Sequence, residues 1–391
     1  MTHRRMVLTG ILGVALAASA DGAALAQEAV KIGLVLPMTG PFASTGRQID
    51  AAVKLFLARE GAVHGGRKLE VILKDDAGNA DATRRLAQEL VVNDKVSVLA
   101  GFGLTPLAMA TAQIATQAKV PEVVMAAATA SITEASPYIV RTSFTLPQAS
   151  EPMADWAWAN GIKKVFTVVT DYGPGIDAET SFAGKFKAAG GSVESVRVPL
   201  RNPDFAPFLQ RVSEAKPDAL FVFVPSGVGA QFMKQFVERG LDKAGIKLIG
   251  PGDVVDDDIL EGIGEVALGA ITTHHYSAAH DSPANKAFVA DFQKANPGMR
   301  PNFMAVGGYD GMRLVAEALK ATKGDASGEK LIAAMKGASW ESPRGPVRID
   351  PETRDIIQNV YVRKTQKVGS ELHNVEFATI PNVKDPVKAR K

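Results

Sequence analysis

Short apolar runs alternate with amphipathic stretches along most of this chain. Residues 30–36 predict a strand, and the glycine- and proline-bearing stretch 37–46 a loop. Over 47–59 the apolar positions Ile49, Val53, Leu55, Phe56 and Leu57 predict a helix. Strand signals follow at 69–73, 96–99, 120–125 and 138–141, with helical patterns over 82–92 and 106–117. The pattern restarts with a strand at 164–170, a turn at 171–175 and a helix over 176–189. Strands are predicted at 192–198, 219–224, 247–249 and 269–273. After that the chain reads as helical over 283–295, 303–322 and 328–336, with final strands near 347–349 and 357–363. Short β-runs between amphipathic helices predict parallel sheets covered on both faces. The restart predicts two lobes. No low-complexity linker separates them, so ordered strands should cross between the lobes as a hinge.

The first 26 residues follow another rule. Arg4 and Arg5 precede an apolar, small-residue run over 6–20, and Ala24-Leu25-Ala26 precedes Gln27. This is the arrangement of a secretory signal peptide cleaved after Ala26, which places the mature chain outside the cytoplasm. The run is shorter than the ~20 apolar residues of a membrane span. Residues 27–391 suffice for two domains of the usual ~100–200 residues.

With 44 Lys and Arg against 42 Asp and Glu, the charge is near neutral, and no basic stripe interleaved with aromatics appears. Nucleic acid is therefore not an expected partner. The basic end, 384–391, reads as a solvated tail. The absence of cysteine excludes disulfides, thiolate metal sites and a cysteine nucleophile. Stability must come from core burial, which a chain of this length can supply.

In doubly wound sheets ligands lie outside the carboxyl ends of the strands. The loops there are small, hydroxylated and glycine-rich: 37–46, 101–106 and 126–129. Thr105-Pro106 has the composition of a helix start, with a hydroxyl cap and Pro at the first position. Such an end suits a carboxylate, and a plain structural cap accounts for it as well. Gly101-x-Gly103 lacks the third glycine of a dinucleotide fingerprint, since Pro106 stands there. No Walker A, His-Glu-x-x-His or Gly-x-Ser-x-Gly sequence occurs. His274, His275 and His280 beside Asp281 admit a metal site. Their spacing does not put three ligands on one helix face, so surface or hinge histidines are the simpler reading. The acids at 253, 256, 257 and 258 suit a helix's first turn, and Asp253 is the one expected to reach a cleft. Phe102 and Tyr172 are candidate pocket walls, although either residue type is commonly core or surface.

These loops carry a resemblance. The chain resembles the periplasmic substrate-binding proteins of ABC importers, in the leucine/isoleucine/valine-binding branch. The similarity runs from Val30 to about Lys367 through 32–46, Asp75-Asp76, 100–106, 126–129, Arg141-Thr142, 171–175 and 250–253. It implies two doubly wound α/β lobes joined by three crossover strands and closing on a ligand. The implied lobes are 27–145 with 275–356 and 146–274 with 357–391. By the same resemblance Thr105 holds the ligand carboxylate, and the 126–129 loop supplies the Ala127 carbonyl and the Thr129 hydroxyl. Tyr172 covers the ligand, and Thr45 stands where some members carry a pocket aromatic. Amino-acid binders place an acid after the 247–249 strand for the ammonium; the aligned position is Gly252, and Asp253 follows it.

The implied function is a periplasmic solute receptor, not an enzyme. It would work as a monomer without cofactor, delivering a small carboxylate, first of all a branched-chain amino acid, to an inner-membrane permease. An aromatic carboxylate such as a benzoate is the alternative ligand. An exported hydrolase is the alternative from another class, and it lacks a nucleophile–base pair in this sequence.

Overall fold

Chain order places a strand buried on both faces, β1 (Val30–Leu36), at the centre of the first sheet. That burial explains its unbroken apolar composition. In the computed structural model, which describes residues 28–390, the chain continues through α1 (Ala43–Glu60), β2 (Val63–His64), β3 (Arg67–Asp75) and α2 (Ala80–Val92). It then forms β4 (Val98–Gly101), α3 (Thr105–Ala118), β5 (Glu122–Val124) and β6 (Ile139–Arg141). The order across the sheet is β2-β3-β1-β4-β5-β6, parallel except for the β2–β3 pair. The expected leader and its cleavage after Ala26 lie outside the described residues.

The chain then crosses to the second lobe through α4 (Leu146–Ala159), a helix the apolar pattern did not reveal. There β7 (Lys164–Thr170), α5 (Gly173–Ala188), β8 (Ser192–Val198), α6 (Ala206–Ala215), β9 (Ala219–Phe223) and α7 (Gly229–Glu238) form the second β/α unit. It continues through β10 (Lys247–Pro251), α8 (Leu260–Ile263) and β11 (Ile271–His274). The chain returns to pack α9 (Pro283–Ala295) and α10 (Phe303–Ala321) on α1, with α11 (Gly328–Met335) on α10. A hairpin of β12 (Ser339–Ser342) and β13 (Gly345–Ile349) leads to β14 (Ile356–Val368), β15 (Glu371–Val383) and α12 (Pro386–Ala389). The second sheet runs β12-β13-β14-β11-β10-β9-β7-β8, with β15 on β14. The hairpin β12–β13, within the 275–356 stretch expected in the first lobe, hydrogen-bonds into this second sheet.

The lobes are thus two α/β units joined by three crossings: before α4, between β11 and α9, and between α11 and β14. Among the described residues no helix is long and apolar enough to cross a membrane. The C-terminal end is docked, not a solvated tail. Asp385 caps α12 by accepting from the N–H groups of Val387 and Lys388. Lys388 is buried against Asp355 and Thr133, and Arg390 pairs with Glu151 at 2.7 Å.

One buried acid makes stability depend on pH. Glu122 on β5 is fully enclosed, and burial pushes its carboxyl from 4.5 up to about 8. Thr111 Oγ1 lies 2.9 Å from the Ala108 carbonyl and 3.0 Å from Glu122 Oε2. The hydroxyl has one proton, which goes to the carbonyl, so protonated Glu122 donates to Thr111. The unfolded chain loses this proton near 4.5 and the folded chain near 8. Stability therefore falls as pH rises through that window, by at most about 1.4 kcal/mol per pH unit. Glu122→Gln keeps a donor and removes the titration. Urea unfolding should find it near neutral at the acid end of the window and stabilising at the alkaline end; an equal effect at both ends would contradict the assignment.

Candidate functional site

The loop after β1 is pinned by Asp75, whose carboxylate accepts from the Met38 N–H at 2.9 Å and the Thr39 hydroxyl at 2.7 Å. This sets the start of α1 and places Thr45, buried, in its first turn. After β4, the cap of α3 is Leu104 and not Thr105, which is the first helical residue. The Thr105 hydroxyl makes no capping bond; it lies 2.8 Å from the Thr129 hydroxyl. The structural-cap reading of its side chain therefore fails. The hydroxyl sits instead beside the first N–H groups of a 14-residue helix, where intrahelical acceptors are lacking.

Arg141 fixes the neighbouring loop from beneath. It is fully buried, its Nε lies 2.9 Å from Asp355 Oδ1, and it donates to the carbonyls of Thr129 (2.8 Å) and Phe144 (3.0 Å). The Ala127 carbonyl accepts from Ser143 Oγ at 3.2 Å, so the protein already engages this acceptor.

The second lobe brings Tyr172, the cap of α5, followed by Gly173 and Pro174. Gly173 closes tightly on the first lobe: a Cβ there would lie 2.4 Å from Thr129 Oγ1. Tyr172 is half-buried and stacks on Phe223 at 6.2 Å. Burial, and then the charge of Asp253, hold its phenol well above the usual range.

Between these pieces lies a small cavity at the strand ends of both lobes. Thr45, Thr105, Ala127, Tyr172 and Asp253 all line it; Thr129 does not, and its hydroxyl instead bonds that of Thr105. Phe102 does not line it. Its left-handed backbone (φ 65°) turns the ring into the core with Val35, Leu99 and Ala108. Its backbone still serves the site by accepting the Ala127 N–H at 3.1 Å.

Sequence reasoning missed Phe144, Phe223, Ser226 and Met304, all of which line the cavity. Phe223 and Ser226 end or follow β9, so the strand-end rule could have found them. Phe144 lies in the first crossing and packs on His274, His275 and Phe303 with ring centroids 4.8–5.6 Å apart. No local signal marks that contact.

Asp253 stands at the second-lobe end, 4% exposed. Burial pushes its carboxyl up to about 7, while its own backbone N–H and Arg363 pull it back. His274 Nε2 lies 3.7 Å from its Oδ2. His274 Nδ1 accepts the His275 N–H at 3.0 Å, so a neutral ring carries its proton on Nε2. Burial, then Arg363 and Arg344, keeps His274 neutral by pushing it well below its usual value. Both histidines are hinge core residues, and among the described residues no three metal-ligating side chains form a group.

The other acids are not a helix's first turn facing solvent. Asp256 and Asp257 are buried; Asp256 accepts from Ser226 at 2.9 Å and from Asn302 at 2.7 Å. Asp258 accepts from Ser44 of the opposite lobe. Asp177 on α5 accepts the Ala130 N–H at 2.7 Å, and Arg201 donates to the Gly78 carbonyl at 3.1 Å. Leu200 and Tyr172 pack on Phe42, Leu104 and Leu107. The lobes are closed on the cavity.

Two α/β lobes closed on a small cavity between strand ends define a solute-binding receptor. The chain belongs to the periplasmic binding protein family, whose model matches residues 29–370, among the substrate-binding receptors of ABC transporters. It is similar to a solute-binding protein from Rhodopseudomonas palustris BisB5 solved in complex with 3,4-dihydroxybenzoic acid. The two are 64% identical with a TM-score of 0.91, covering 93% of this chain and 100% of that one. A second R. palustris solute-binding protein, solved with 4-hydroxybenzoate, is 44% identical with a TM-score of 0.90 and the same coverage. A Leu/Ile/Val-binding protein homolog from Brucella melitensis is 44% identical over 389 residues, 98% of each chain.

Proposed function

We propose that this receptor binds an aromatic carboxylate of the benzoate class and delivers it to a membrane permease. The observation that carries this reading is the second-lobe end of the site. The position where the resemblance expects an ammonium-pairing acid is Gly252. A Cβ there would lie 1.8 Å from Arg363 Nη2, so a side chain at this position would have to displace that buried guanidinium. The next residue, Asp253, has that buried guanidinium close by. Asp253 shares that guanidinium with Asp257, 4.0 Å from it, so an ammonium beside the acid would also meet a buried cation.

The first-lobe end suits a carboxylate: two hydroxyls at a helix N-terminus. Between the ends the lining is apolar and aromatic, with Phe144, Phe223, Tyr172, Leu146 and Met304. Flat rings gain contact area there at little conformational cost. The R. palustris relatives support the reading through the hydroxylated benzoates bound to them. The name of the Brucella relatives favours a branched-chain amino acid, the first expectation from the sequence.

A thermal-shift series separates the two. Benzoates should raise the unfolding free energy by about 2.7 kcal/mol at a hundredfold excess over the dissociation constant. Leucine, isoleucine and valine should leave it in place. Stabilisation by the amino acids alone would overturn the proposal.

A further inference from the structure

At the second-lobe end of the cavity, three buried polar atoms have no hydrogen-bond partner: Asp253 Oδ2, His274 Nε2 and Arg363 Nη2. Asp253 lines the cavity, and His274 stands behind it and behind Phe144. Arg363 spends its other nitrogens elsewhere, with Nε on Thr272 Oγ1 at 3.2 Å and Nη1 on the Tyr276 carbonyl. Buried polar atoms are seldom left unpaired, and Asp253, the one of the three that lines the cavity, is where a ligand atom can complete the pairing.

We propose that Asp253 reads a ring hydroxyl of the bound benzoate, its Oδ2 accepting the phenolic proton, so that the site selects hydroxylated over unsubstituted benzoates. This rests on the reading of the cavity as an aromatic-carboxylate site and adds what the far end of the ring must carry. A hydroxyl suits the surroundings because it donates to Asp253 and still offers lone pairs toward the neighbouring donors. An ammonium only donates, and it would face the Arg363 cation and the His274 N–H from the same side. A plain C–H edge leaves Oδ2 unpaired.

The groups facing Asp253 are Tyr172 from α5, His274 from β11, Arg363 from β14 and Asp256 from its own loop. None supplies the missing hydrogen bond to Oδ2. Its raised carboxyl fits an acid short of donors.

Calorimetry on the mature protein tests this with benzoate, 4-methylbenzoate, 4-hydroxybenzoate and 3,4-dihydroxybenzoate. The hydroxylated ligands should bind about ten- to hundredfold more tightly than the other two, the fold-change of one hydrogen bond to a charged group. In Asp253→Ala that preference should collapse to within about threefold, about 0.65 kcal/mol by the usual conversion. A cooperative urea transition shows that the variant is folded. Should the variant not fold, the wild-type series alone decides. Benzoate binding as tightly as 4-hydroxybenzoate overturns the role of Asp253 and leaves the aromatic-carboxylate reading standing. Binding of leucine with no benzoate overturns both.

Discussion

Arg344→Met should lower the stability of this protein by about 3–5 kcal/mol, the cost of breaking a buried ion pair from one side. Arg344 is fully buried on the β12–β13 hairpin and reaches Asp310 of α10 through Nη2 at 2.6 Å and Nε at 2.9 Å. It also donates to the carbonyls of Thr142 and Ser143 (3.0 Å) in the first crossing and to Gln358 Oε1 (2.8 Å) on β14. Trp340 Nε1 and the Ser342 hydroxyl, each at 2.8 Å, complete the shell of Asp310. One guanidinium therefore ties the first crossing, the third crossing and a first-lobe helix together. Methionine fills the volume but leaves a buried carboxylate and three acceptors short of a donor. Urea unfolding should show an earlier midpoint with an unchanged slope. Adding Asp310→Leu should recover part of the loss, because the stranded charge is then gone. A loss under about 1 kcal/mol, the range of an exposed pair, would contradict this account of the hinge.

Thr105→Val should weaken benzoate binding ten- to hundredfold. Valine has the shape of threonine and removes only the hydroxyl. A hydrogen bond to a charged group is worth about 1.5–3 kcal/mol, and each 1.4 kcal/mol is tenfold in affinity. The unliganded protein should lose only about 1 kcal/mol, the worth of the buried Thr105–Thr129 hydrogen bond, because the Thr105 hydroxyl caps nothing in α3. That pairing of results separates a ligand contact from a structural one. Unchanged affinity in calorimetry would mean that the hydroxyl serves only its bond to Thr129.

The strands and most helices were legible because the β/α portions of both sheets are parallel and covered, which writes unbroken apolar runs into β1, β7 and β9, while β12–β15 pair antiparallel. What escaped has physical reasons. Helix α4 carries Pro147 near its start and Pro152 inside, and proline in a helix interior argues against the element it occupies. Strand β15 is long but mostly exposed, so it lacks an apolar signature; its pairing with β14 identifies it. The expectation that α1 begins at 47 placed its start too late, because Thr45 and Gly46 read as loop residues.

The strand-end rule located Thr105, Ala127, Tyr172 and Asp253, which the fold gathers around one cavity. It also proposed Phe102, whose left-handed backbone turns the ring away. It could not find Arg363. That side chain comes from a distant strand, and its Nη2 lies 1.8 Å from where a Cβ at Gly252 would be. The proposed ligand turns on that contact, whereas the sequence alone pointed first to an amino acid.

The central claim is that the closed cavity belongs to an aromatic carboxylate. Calorimetric titration of the protein with 4-hydroxybenzoate, repeated in saturating leucine, tests it most directly. One-to-one binding of 4-hydroxybenzoate, unaltered by leucine, is the predicted result. Leucine binding that abolishes the hydroxybenzoate heat would contradict it.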